Sequence, residues 1–109
     1  MTLTEQRIAR TGTEITFAAA SALGDSFVNQ GYQRVRFKNT TGSPISVTVD
    51  TPNPDNYGVV NDILDVTITV PANKEISAGP FDQGRHNDQN GKTQLTYSTN
   101  VGLSVAVTS

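Results

Sequence analysis

A lone histidine, a row of cations on alternate positions and a set of loop aspartates are the residues whose types and spacing could do chemistry here. His86 could serve a triad or act as a general base, but no serine or cysteine sits in a G-x-S-x-G elbow to be activated by it. It lies among Arg85, Asn87 and Asp88, and reads as a solvent-exposed loop histidine. His86, Asp88, Asn90 and Gly91 have the alternating spacing that opens a calcium loop. Such a loop begins on an acidic residue and ends on a bidentate glutamate, whereas its last position here falls on Tyr97. A polar turn is the reading that remains, with Asn90-Gly91 supplying positive φ. Asp55, Asp62 and Asp65 could gather around a cation, though loop carboxylates are more simply hydrated. Paired carboxylates could cleave a glycosidic bond. A sugar platform is missing, however: there is no tryptophan, and Tyr32, Tyr57 and Tyr97 are scattered over separate segments. No nucleophile is placed against a base, so the chain reads as a non-enzyme with no cofactor and no metal.

Arg34, Arg36 and Lys38 alternate with Val35 and Phe37, which puts the cations on one face of one strand. A nucleic-acid site would need neighbouring basic strands or stacking aromatics, and the next strand adds Asp50 instead. The net charge of -2 and the pI near 5.1 also speak against nucleic acid. A solvated face is the plain reading; an acidic protein surface is the partner such a row would fit. Residues 1–38 carry a net +2 and residues 39–109 a net -4. That asymmetry reads as ordinary surface charge, or as head-to-tail attraction between copies.

The elements that must position these residues are strands. Ile15 and Phe17 alternate with Glu14 and Thr16 and predict a strand from Thr13. Ala18 to Ala22 is a helical turn or an extended crossing, and Gly24-Asp25-Ser26 a turn, after which Phe27-Val28 begins something short. Gln33 to Lys38 predicts a strand. Asn39 to Pro44 predicts a turn, and Ile45, Val47 and Val49 a second strand close enough to make a hairpin with the first. Thr51 to Asp62 is the longest loop, with two prolines and Gly58. Val66 to Val70 forms a strand stopped by Pro71, Ile76 marks a short strand, and Asp82 to Lys92 is a second polar loop. Leu95 and Tyr97, then Leu103, Val105 and Val107, complete the set. Turns about every ten residues predict an all-β chain: one antiparallel sandwich or partly open barrel of about six to eight strands.

Composition agrees. Thr occurs 15 times and Val 11 times, both β-branched and suited to a pleated surface. At 109 residues and 35% hydrophobic, one thin core is expected. There is no cysteine, which fits a reducing compartment, and neither a signal peptide nor an apolar run of membrane-spanning length. Residues 1–12 lack alternation and read as an irregular arm beside a domain of residues 13–109. Thr2 and Glu5 have capping-box spacing that allows one helical turn. Leu3, Arg7, Ile8 and Arg10 make the arm an expected partner contact, mobile alone and ordered against a neighbour.

The order of several short motifs resembles a group of small head proteins of tailed bacteriophages. These are Gly24-Asp25-Ser26-Phe27, Asn29-Gln30-Gly31, Val35-Arg36-Phe37-Lys38-Asn39, Val47-Thr48-Val49 with Thr51-Pro52, Thr67-Ile68-Thr69-Val70-Pro71-Ala72, Gly79-Pro80-Phe81, Thr96-Tyr97-Ser98 and Val105-Ala106-Val107. The similarity runs from about residue 12 onward, and Asn73 stands where the pattern has glycine. The resemblance implies a capsid decoration (cement) protein on the outer surface of a phage head, made in the host cytoplasm. The implied partners are the major capsid protein and further copies of the chain, with a trimer as the expected assembly, and neither nucleic acid nor membrane. A head–tail joining or fibre-attachment protein, or a free carbohydrate-binding sandwich, are the alternatives.

Overall fold

The computed structural model describes residues 1–51 and 66–109. In chain order the elements are β1 (Thr2–Leu3), β2 (Glu5–Gln6), β3 (Ala18–Ala19), β4 (Asp25–Val28), β5 (Arg34–Asn39), β6 (Ile45–Val49), β7 (Val66–Val70), β8 (Glu75–Ala78), the helical turn α1 (Gln83–His86), β9 (Lys92–Tyr97) and β10 (Leu103–Thr108). The chain is an all-β sandwich. Sheet I has the strand order β1-β4-β9-β6-β7, and sheet II the order β2-β10-β5-β8 with β3 also on β10. None of the described helices is long and apolar enough to cross a membrane.

One rule organises the pairing. β3 pairs with β10, β4 with β9, β5 with β8 and β6 with β7, all antiparallel and alternating between the sheets. This is a long two-stranded ribbon rolled up on itself, the jelly-roll topology. The β5–β10 and β6–β9 ladders stitch successive turns of the roll together. β5 and β6 bury alternate residues, so Val35 and Phe37 of β5, beside Val107 and Val105 of β10 in the same sheet, pack with Val47 and Val49 of β6 in one shared core.

The first residues depart from the expected arm. β1 runs parallel to β4 and β2 parallel to β10, so the chain crosses from one sheet to the other at Thr4. Both sheets are therefore mixed rather than purely antiparallel. Leu3 is only 7% exposed and belongs to the core. The helical turn allowed by Thr2 and Glu5 does not form, because extended backbone lets Leu3 reach the core while Thr2 stays outside. β2 and β3 occupy different stretches of the same edge of β10, at Val107–Thr108 and Ser104–Val105.

Three further expectations are corrected. Residues 13–17 form no strand. The Gln6 side chain takes the place of a ladder partner, donating from Nε2 to the Thr16 carbonyl (2.7 Å) and accepting from the Thr16 N–H (2.8 Å). β5 and β6 are not a hairpin, since they lie in opposite sheets. Asn39 fixes that crossing: its Oδ1 accepts from the Thr41 N–H, and its Nδ2 donates to the Ser43 and Val70 carbonyls. The turn expected at 24–26 is shifted back to Ser21–Gly24, and Asp25 and Ser26 already belong to β4. Asp55, Asp62, Asp65, Tyr57 and most of the longest predicted loop lie outside the described residues.

Candidate interaction face on sheet II

β5 is an interior strand of sheet II, and its outward row is Arg34, Arg36 and Lys38. Register places Thr108, Ala106 and Ser104 of β10 beside them on one side, and Ser77 and Glu75 of β8 beside Arg36 and Lys38 on the other. Arg36 Nη1 stands 3.9 Å from Glu75 Oε2, while Arg34 and Lys38 have no ion pair among the described residues. Lys38 Nζ lies 5.8 Å from the centroid of the Phe17 ring, within cation–π range. The face thus offers a cationic row with one carboxylate and one aromatic ring at its margins. Ala106 and Thr108 on the β10 side are buried, whereas Ser77 and Glu75 on the β8 side are exposed, so a carboxylate-rich surface could approach the guanidinium groups from the β8 side.

The other proposed contact residues separate. Leu3 is a core residue and is not available to a partner, because the chain crossing at Thr4 drives it between the sheets. Arg7, Ile8 and Arg10 are exposed. They follow β2, where Ile8 N–H donates to the Ser109 carbonyl (3.0 Å) and Gly12 N–H closes a turn on Ala9.

His86 is not a solvent-exposed loop residue. It is 7% exposed, at the end of a turn whose N-cap, Asp82, accepts from the Gly84 N–H (2.8 Å). Its Nδ1 lies 3.0 Å from the Asp50 carbonyl and 3.5 Å from Thr51 Oγ1, and its ring meets Phe81 edge-on at 5.6 Å. The Nδ1 contact with the Asp50 main-chain carbonyl ties α1 to the end of β6. Phe81 in turn packs on Phe27. The described residues contain no group of three His, Cys, Asp or Glu side chains placed to hold a metal.

Buried polar residues are what sequence reasoning missed. Asn29 Nδ2 donates to the Phe81 carbonyl and Thr93 Oγ1, and its Oδ1 accepts from Gly31 N–H. Gln83 and Asn87 both donate to the Asn29 carbonyl, so one residue gathers these five hydrogen bonds at the α1 end. Gln33 does similar work, accepting from Gln30 N–H and donating to Glu5. Asp88 lies in the turn that follows, and hydrogen bonds from Gln94, Lys92 N–H and Asn90 N–H hold its carboxyl below the usual range. Gly91 has φ 73 there, whereas Asn90 is not in the left-handed region.

At the opposite end the buried Asp25 accepts from the Tyr97 hydroxyl and from Ser21 N–H, and its Oδ1 stands 3.8 Å from the Met1 ammonium. Burial, and then Asp25 itself, push the Tyr97 hydroxyl well above its ordinary value. No protein-family model, curated protein or solved structure matches the chain.

Proposed function

We propose that the chain is a structural virion protein that decorates the outer surface of a tailed-phage head. The observation that carries the reading is the outward row Arg34, Arg36 and Lys38 in the interior of sheet II, with Glu75 as its only carboxylate neighbour in register. A cationic row on a sheet face suits an acidic shell surface rather than a small substrate. The closed double-sheet roll also suits a module that must bind without changing shape, and jelly rolls recur in viral shells and in lectins. Motif order along residues 12 to 109 resembles phage head proteins, which selects the first of those settings.

Attachment adds stability to the shell by mass action, because bound copies hold neighbouring capsid subunits together. The direct test is sedimentation of the purified chain with heads that lack it, at several salt concentrations. Binding is expected, weakening with salt, and a triple Arg34→Glu, Arg36→Glu, Lys38→Glu variant is expected to bind roughly tenfold or more weakly, since like-charge juxtaposition is costly. Absence of association with heads would overturn the reading. Hundreds of bound copies per head agree with decoration, whereas six or twelve would replace it with a joining role at the tail vertex.

A further inference from the structure

A cleft of about 390 Å³ lies where β1 and β2 part for opposite sheets at Thr4. Sheet I lines it with Phe27 and Val28, sheet II with Glu5 and Val107, and the β4–β5 connection with Gln30 and Gln33. Its volume is that of a small-molecule site, and so is its lining, a few polar groups set among apolar side chains.

The polar groups are held in place before any ligand arrives. Gln33 is 1% exposed. Its Oε1 accepts from the Gln30 N–H (2.7 Å), and its Nε2 donates to Gln30 Oε1 (3.0 Å) and to Glu5. Gln30 Oε1 also accepts from the Tyr32 hydroxyl (2.8 Å), and Glu5 Oε2 accepts from Ser109 Oγ (3.1 Å). Fixing one carboxylate and two amides in this way removes the cost of ordering them on binding. Their capacity is not used up. A carboxylate offers about four acceptor positions, of which the described residues fill two at Glu5. Gln30 Nε2 has no hydrogen-bond partner among the described residues, and Thr4, exposed on the same lining, carries a hydroxyl that both donates and accepts.

Charge and polarity select the ligand. No arginine or lysine lines the cleft, although Lys92 Nζ donates to Thr2 Oγ1 at its margin (3.2 Å), and Glu5 disfavours an anion. A wholly apolar ligand would bury the open positions on Glu5 and Gln30 unpaired, which is costly. Those positions are spread over separate side chains and include donors as well as acceptors, so they serve several hydroxyl groups better than one ammonium. Val28, 48% exposed, adds apolar surface beside them. A ring with hydroxyls on its rim and C–H groups on its face matches this pattern. We infer that the cleft binds a neutral monosaccharide, with Glu5, Gln30 and Thr4 taking its hydroxyls and Val28 its C–H face. The inference does not rest on the capsid reading.

NMR titration of the full chain with galactose, mannose and N-acetylglucosamine, and separately with ethylamine, tests it. At least one sugar is expected to give saturable shifts at about millimolar concentration, centred on the amides of residues 2–5 and 27–33, and ethylamine none. Glu5→Gln keeps the side-chain shape and is expected to weaken binding roughly tenfold, since hydrogen bonds to a charged group are the stronger ones. Val28→Asp alters an exposed position that faces Lys92 in register, so the fold tolerates it; it should weaken binding at least about tenfold while keeping the circular dichroism spectrum of the parent. Absence of saturable sugar binding, shifts centred elsewhere, or a folded variant of either kind that binds as the parent does would overturn the inference. Saturation by ethylamine alone would also overturn it, and would assign the cleft to a cationic ligand.

Discussion

The Tyr97 hydroxyl donates to Asp25 Oδ2 at 2.7 Å, reaching diagonally from β9 to β4, where Asp25 sits opposite Leu95. The pair joins a buried carboxylate to a phenol that donates to its Oδ2, while Oδ1 is buried without a hydrogen bond. Tyr97→Phe keeps the ring and removes the donor, and is expected to cost roughly 1–3 kcal/mol in chemical denaturation, the range for stranding a buried polar partner. The sign with pH follows from the raised hydroxyl. Its folded value lies above the unfolded one, so its contribution is intact below about pH 10 and is lost as pH rises beyond that. Tyrosinate absorbance should therefore titrate alike in the parent and in Tyr97→Phe until the chain unfolds. A difference within the folded range would show that Tyr97 ionises in place.

Leu3 should behave as core and Ile8 as surface, although both precede the first long strand. Leu3→Ala is expected to destabilise by about 2–5 kcal/mol, as large-to-small core changes do. Ile8→Ala should stay within about 0.5 kcal/mol. Equal midpoints for the two variants in urea would place residues 2–6 outside the cooperative unit.

Gly24 precedes β4 with φ 94, and a Cβ there would lie 2.5 Å from the Leu95 carbonyl oxygen. Backbone strain and collision act together, so Gly24→Ala is expected to lower stability by at least about 1–2 kcal/mol. Gly42 has open space around it and no such φ, and Gly42→Ala should change stability by no more than about 0.5 kcal/mol. Thermal unfolding of the two variants side by side checks the contrast.

Asp88 carries the acid side. Its carboxyl is lowered chiefly by the Gln94 side chain and then by the Lys92 and Asn90 amides. A folded value below the unfolded one gives stability that is present above about pH 4 and is lost as pH falls through the folded value. Melting temperatures followed down through that range should decline less steeply for Asp88→Asn than for the parent. Parallel declines would mean that the turn does not hold the carboxylate.

Strands that alternate cleanly were legible in the sequence. Val35 and Phe37, Ile45 to Val49, and Val66 to Val70 show the period of two that burial on one face imposes, and each is a strand. Asn73, standing where the phage-head pattern has glycine, has φ 57, a conformation asparagine tolerates. What periodicity cannot carry is which sheet a strand joins. Nothing local distinguishes a hairpin turn from the Asn39 crossing, because the difference is made by an amide reaching the Val70 carbonyl. Two-residue strands such as β1 and β2 are too short to show a period at all. Of the candidate site, the cationic row was readable from alternation, whereas the burial of His86 and Asn29 depends on loops meeting at one end.

The mirror pairing of the rolled ribbon has a consequence during synthesis. β6 and β7, at the fold-back, can pair as soon as both have been made, but β3 must wait for β10, which is made after β4 to β9. Until residues 103–108 emerge, β5 lacks its β10 neighbour and β2 has no partner of its own. A nascent chain stopped short of β10 therefore offers an open apolar strand edge, the kind of surface that aggregates or recruits a chaperone. Closure of the roll is held back until β10 has emerged by the order in which its strands are made.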